Sequence, residues 1–215
     1  MVDKSNEYGY VPSSPTQAEG SNTGIFEVND VTDLLLAGQW TLEDLGKLEL
    51  IETQTASNVN FLDFTSIQES TYNVHFVTVT NVQATGSSTG AFVRLFESGV
   101  IETANVYQYV YQEQDLGTNT VTEQSSATAN SLGIDYDYDP GTPRNNYFYL
   151  YNAGDSSKYT FATWQYTGMN NGGIVYKFGS GVLPQTSTVD GFRIQSSGAN
   201  NIDIDSVSLY GIAES

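Results

Sequence analysis

Cysteine is absent from this 215-residue chain. No disulfide can staple it, no thiolate can act as a nucleophile, no Cys-ligated zinc site can form, and the redox compartment stays open. Histidine is reduced to one residue, His75, so a His-rich metal-hydrolase centre lacks its ligands. Lys and Arg number 7 against 25 Asp and Glu, a net charge of −18. Such a surface repels phosphate backbones and anionic lipid headgroups, which argues against nucleic acid and membrane as partners. Its expected use is to keep copies soluble and apart until a specific contact forms. No apolar run approaches the roughly 20 residues that a spanning helix needs. Met1 to Tyr10 lacks the basic-then-apolar order of a signal peptide. The expectation is a protein made and kept in the cytoplasm, or released by a route such as lysis of an infected cell. The chain also lacks a P-loop, a dinucleotide-binding glycine fingerprint and a G-x-S-x-G elbow.

Aromatic residues are what the chain has in quantity, 15 Tyr and 10 Phe, with only 15% of residues charged. Both rings suit a pleated, half-buried surface. From Leu48 onward, short runs rich in aromatic and β-branched residues follow one another: 48–52, 58–64, 72–82, 91–96, 105–112, 147–152, 159–166, 173–178, 189–196 and 204–212. Turn-type clusters such as "TGSSTG", "NAGDSSK", "GMNNGG" and "SSGANN" separate them. In "YNVHFVTVTNV" the alternation puts Tyr72, Val74, Phe76, Thr78 and Thr80 on one face, and His75, Val77 and Val79 on the other. In "SVSLYGI" it sets Val207, Leu209 and Gly211 against Ser208, Tyr210 and Ile212. The pattern predicts an all-β protein, an antiparallel jelly-roll-like β-sandwich over residues 48–215. One stretch, 113–146, breaks the rhythm and reads as a long connection with a short helix near 126–132.

Ahead of the sandwich, residues 1–23 read as an extended arm, since Pro12 and Pro15 disfavour helix and "EGSNTG" is turn-prone. Residues 24–47 form a short docking segment. Asn29 or Asp30 can cap a helix, Val31, Leu34 and Leu35 form its apolar stripe, and Gly38 ends it. A helix of two or three turns is too short to stand alone in water. It must pack on the body of the chain or on another subunit, with Trp40 as an anchor.

Chemistry-bearing residues are scattered. Asp135, Asp137 and Asp139 in "DYDYDPG" alternate like the first half of a calcium loop. Pro140 stands where that loop needs glycine, and Asn146 where it needs a bidentate carboxylate. The preferred reading is a strand entering a turn, with no metal and no cofactor. "NNIDID", with Asp203 and Asp205, is a weaker case of the same pattern. Glu97, Glu102, Glu113 and Glu123 are conceivable glycosidase carboxylates, but no spacing marks a pair. Trp40, Trp164, Tyr107, Tyr109, Tyr111 and Tyr149 could stack on sugar rings. Tyr107, Tyr109 and Tyr111 share a strand face and read better as core or subunit contact; Trp164 is the better surface candidate of the two tryptophans but reads better as core. His75, between Val74 and Phe76, reads as a sheet residue rather than a general base.

Two stretches carry a resemblance. "GSNTGIFEVNDVTDLLLAGQW" resembles a short N-terminal segment of structural proteins of marine tailed bacteriophages, including those infecting cyanobacteria. "LELIETQTASNVNFLDFTSIQESTYNVHFVTVTNVQA", with the closing "GFRIQSSGANNIDIDSVSLYGI", resembles a β-sandwich domain of such virion proteins. The resemblance implies a non-enzymatic virion component, a head decoration or fibre protein. It also implies docking on other virion proteins (capsid, portal, neck or tail) through Ile25, Phe26, Val31, Leu34, Leu35 and Trp40, and a symmetric homo-oligomer such as a trimer. The arm would gain its order from a neighbour on the particle. A different expectation is a receptor-binding or carbohydrate-binding module on a tail fibre; a depolymerase is a third.

Overall fold

A computed structural model describes residues 17–18, 21–22, 47–86, 89–138, 142–170 and 173–213. The chain divides into two units, Met1–Leu45 with Ser215, and Gly46–Glu214. In the first, the described residues form a two-residue antiparallel ladder between β1 (Gln17–Ala18) and β2 (Ser21–Asn22). The predicted short helix and the docking residues Ile25, Phe26, Val31, Leu34, Leu35 and Trp40 lie outside the described residues.

Among the described residues of the second unit, every regular element is a strand. β3 (Leu48–Val59), β5 (Val74–Ala84), β8 (Tyr107–Asp115), β9 (Thr120–Ala129), β11 (Arg144–Tyr151), β12 (Thr160–Asn170), β13 (Gly173–Leu183) and β15 (Ile202–Ile212) form an eight-stranded antiparallel sheet. Its order is β3-β15-β5-β11-β12-β13-β8-β9. β4 (Phe61–Phe64), β6 (Thr89–Glu97), β7 (Val100–Ile101), β10 (Asp135–Tyr138) and β14 (Val189–Ser196) form a five-stranded one, ordered β10-β6-β14-β4 with β7 on β6. The chain passes repeatedly from one sheet to the other, so both contribute to one core.

Alternation explains most of that core. Val77 and Val79 of β5 point inward with His75, while Phe76, Thr78 and Thr80 point out; Val207, Leu209 and Gly211 of β15 follow suit. Tyr72 departs from the expected face. The chain turns before β5 begins, and the Tyr72 ring lies against buried Gly211, with its hydroxyl donating to Glu49. Opposite, Val93 and Leu95 of β6 and Phe192 and Ile194 of β14 are fully buried. Phe192 joins the layers: it stacks on Phe64 at 4.7 Å and meets Phe148 of the other sheet edge-to-face at 5.4 Å.

The 113–146 stretch is not a long connection, and it holds no helix near 126–132. Residues 120–129 are edge strand β9, paired along β8 from Asp115↔Thr120 to Tyr107↔Ala129. The hairpin is set by turn chemistry: Asp115 accepts from the Gly117 N–H at 2.7 Å, and Asn119 takes φ 52°. β9 is mostly exposed, so its Thr, Ser and Gln residues carry no apolar periodicity to betray it. The next segment is core, since Leu132 and Ile134 are buried and the Leu132 N–H donates to Val93 at 3.0 Å. Similarly, the boundary between the runs at 48–52 and 58–64 falls later than expected, because β3 continues unbroken to Val59 and β4 holds only Phe61–Phe64.

Candidate functional site

The outward face of the eight-stranded sheet is where the unusual chemistry lies. Register places residues in rows across the strands. One row runs Tyr149, Thr163, Ser180, Val110, Ser125; the next runs Tyr147, Gln165, Phe178, Gln112, Glu123. On the other flank of the first row stand Tyr151, Phe161, Val182 and Gln108. In a chain of charge −18, Glu123 is the one charged side chain in these three rows. None of the seven cationic residues belongs to them: Arg94 and Arg193, for example, sit opposite each other on the five-stranded sheet, with Arg193 bidentate to Asp63 at 2.5 and 2.6 Å.

The rows also differ in size, and that makes a groove. The middle row is built of small residues from Thr163 to Ser125, with Phe178 and Gln112 on one side and Phe161 and Val182 on the other. Two adjoining depressions of about 510 and 360 Å³ occupy it and share Val110 and Ser180. Phe161 and Phe178 are 46% and 45% exposed, so nearly half of each ring faces solvent. Tyr176 and Phe178 are parallel within 9° at 6.1 Å, which makes a flat platform beside the groove. Gln112 Nε2 donates to Glu123 at 3.4 Å, leaving the amide oxygen and most of the carboxylate open to a ligand. Beyond the groove, Tyr147, Tyr149, Phe76 and Tyr210 carry the aromatic surface across β11, β5 and β15.

The residues singled out from sequence fall in several places. Trp164 is core at 3% exposure, as its preferred reading had it: its indole lies over Gly179, where an added Cβ would come within 2.7 Å of Cζ2. Tyr107 is buried on the inner face, where Tyr109 and Tyr111 stack at 5.7 Å against the core. Of the expected sugar-stacking rings only Tyr149 is on the outer face among the described residues. Phe161, Phe178 and Tyr176 were missed. Ile174, Tyr176 and Phe178 alternate with Val175 and Lys177, and alternation alone would turn the aromatic parity inward. The structure does the reverse and buries Lys177 completely. The interruption of the other parity by Gly179 and Gly181, unable to fill a core yet able to admit an indole, is the signal that could have found it.

Carboxylates are dispersed. Glu113 and Glu123 lie on opposite faces of the β8–β9 ribbon, Glu113 toward Lys177. Glu97 and Glu102 do meet, hydrogen-bonded to each other. Burial pushes the Glu97 carboxyl up, while the Ala104 N–H at 2.6 Å holds Glu102 down. Contact at hydrogen-bond range is too close for a glycosidase pair, whose carboxyls stand about 5–9.5 Å apart. Asp135 and Asp137 fall in β10 opposite Phe92 and Gly90, and Asp139 lies outside the described residues. Asp203 and Asp205 accept from the Asn58 N–H and the Asn81 amide, each at 2.7 Å. Among the described residues no three His, Asp or Glu are placed to hold a metal ion.

His75 is fully buried, and its Nε2–H donates to the Ile67 carbonyl at 2.8 Å, which leaves Nδ1 bare and without a partner. Burial holds its pKa below the usual 6.5. On acidification the unfolded chain takes up a proton that the folded one refuses. The stability is therefore intact above the unfolded value and is lost as pH falls toward the folded one, by up to about 1.4 kcal/mol per unit. Relative to His75→Gln, the wild type is expected to weaken progressively between about pH 7 and pH 5 in urea unfolding. A constant difference across that window would remove the imidazole from the explanation.

No protein-family model and no curated protein sequence matches the chain.

Proposed function

We propose that this chain is a non-enzymatic structural component of a tailed-phage particle. It is a head decoration or fibre protein that docks through residues 1–47 and displays residues 48–215 outward as a jelly-roll-like module, in a symmetric homo-oligomer. The observation that carries the reading is the aromatic face, with Glu123 as the one charge in its three rows, on a chain of charge −18. Surface of that kind serves contact, because it lowers the desolvation cost of association where the rest of the molecule repels. The resemblance to marine phage structural proteins supplies the particle as the setting. Of the four carboxylates weighed for sugar cleavage, Glu113 and Glu123 lie apart and Glu97 and Glu102 stand too near, which favours contact over reaction.

The test is co-sedimentation of purified chain with particles that lack it. The full chain is expected to pellet with them, and a chain deleted for residues 1–40 to remain in the supernatant. Failure of the full chain to pellet with any phage particle would refute the assignment.

A further inference from the structure

We propose that the groove across β12, β13, β8 and β9 binds an uncharged polysaccharide, laid at right angles to the strands. This rests on reading the sandwich as an outward-facing, non-enzymatic module. Four strands at about 4.8 Å spacing give the groove a length of about 14 Å, enough for a short run of pyranose rings. A pyranose has an apolar C–H face and an equatorial rim of hydroxyls. Phe161 and Phe178 offer half-exposed ring faces on the two walls. Gln112, Ser180 and Glu123 offer an amide, a hydroxyl and a carboxylate for the hydroxyls. The cavity volume lies in the range of ordinary ligand sites.

Charge selects within the sugars. Uronate or sulfate groups would meet Glu123 and a chain of charge −18 with no cation in the three rows, whereas a neutral glycan has nothing to lose there. Shape argues against a second copy as the occupant. A two-fold contact would set one hollow against another and leave the depressions unfilled.

The full chain should be run in native gels containing a β-1,3-glucan, a galactomannan, a dextran or, as the anionic control, polygalacturonate. Retardation by at least one neutral polysaccharide and none by polygalacturonate is expected. Phe161→Ala with Phe178→Ala should weaken binding about tenfold or more, and Gln112→Ala about threefold. Both rings are half exposed, so the double variant should keep its melting temperature; if it does not, Gln112→Ala decides between the outcomes. Indifference to all three neutral polysaccharides, unchanged binding in the variants, or retardation by polygalacturonate alone would overturn the proposal. So would a dimer in sedimentation that dissociates on Phe178→Ala, which makes the face a contact between copies. A chain that pellets with phage particles but ignores neutral glycans refutes this inference and leaves the proposed function standing; binding in the groove without particle docking does the opposite.

Discussion

Truncating Phe192 to alanine is expected to cost about 4 kcal/mol of unfolding free energy, the range for a buried phenylalanine whose site cannot collapse. Phe192 is fully buried at the meeting of the two sheets, stacked on Phe64 and edge-on to Phe148. Its neighbours are fixed to two separate hydrogen-bonded sheets, so neither can move into the void without breaking its own ladder. Phe192→Leu should recover more than half of the loss, because most of the volume returns. Urea unfolding followed by tryptophan fluorescence reads both. A loss below about 1.5 kcal/mol for the alanine variant would mean that the interlayer contact is not the centre of the core.

The second large effect concerns Lys177. Its ammonium is buried, 3.0 Å from Glu113, and lies over the rings of Tyr111 at 4.3 Å and Tyr166 at 5.3 Å. That contact is an ion pair rather than an aligned hydrogen bond. Burying a cation is tolerable only with an anion or π faces against it. Glu113→Gln removes the anion and keeps the shape, and is expected to cost about 3 kcal/mol, since the buried cation is left with only the two π faces against it. Lys177→Met removes the cation and keeps the volume, and should change stability by no more than about 1 kcal/mol, or raise it. Opposite behaviour of the two variants in thermal unfolding is the signature. Equal losses would show that the ion pair is net stabilising, with no cost for leaving the cation behind.

The two strands with the cleanest alternation, β5 and β15, were legible from sequence, since each has one parity that is aliphatic and one that carries hydroxyls. Turns were legible for a similar reason: Gly, Asn, Asp and Ser solve a local conformational problem wherever they stand. β9 was not legible. An edge strand exposed along nearly its whole length needs no apolar side chains, so 120–129 resembled a loop. The groove was illegible for the opposite reason. On β13 the aromatic parity of Ile174, Tyr176 and Phe178 is the one that periodicity of two turns inward, whereas the inward-facing set holds Lys177, Gly179 and Gly181.

From its residues alone this chain is committed to β structure, to two unequal faces on its best strands, and to an acidic surface without thiols. Those properties are local, set by side-chain shape, backbone preference and charge. Which aromatic residues are core and which are surface was decided only by assembly. Phe148 and Trp164 face the five-stranded sheet and the Leu132 segment, while Phe161 and Phe178, one strand position away in parity, face water. The reason is steric and long-range: Gly179 and Gly181 admit the Trp164 indole on one face only, and that single fit turns the rings of β13 outward.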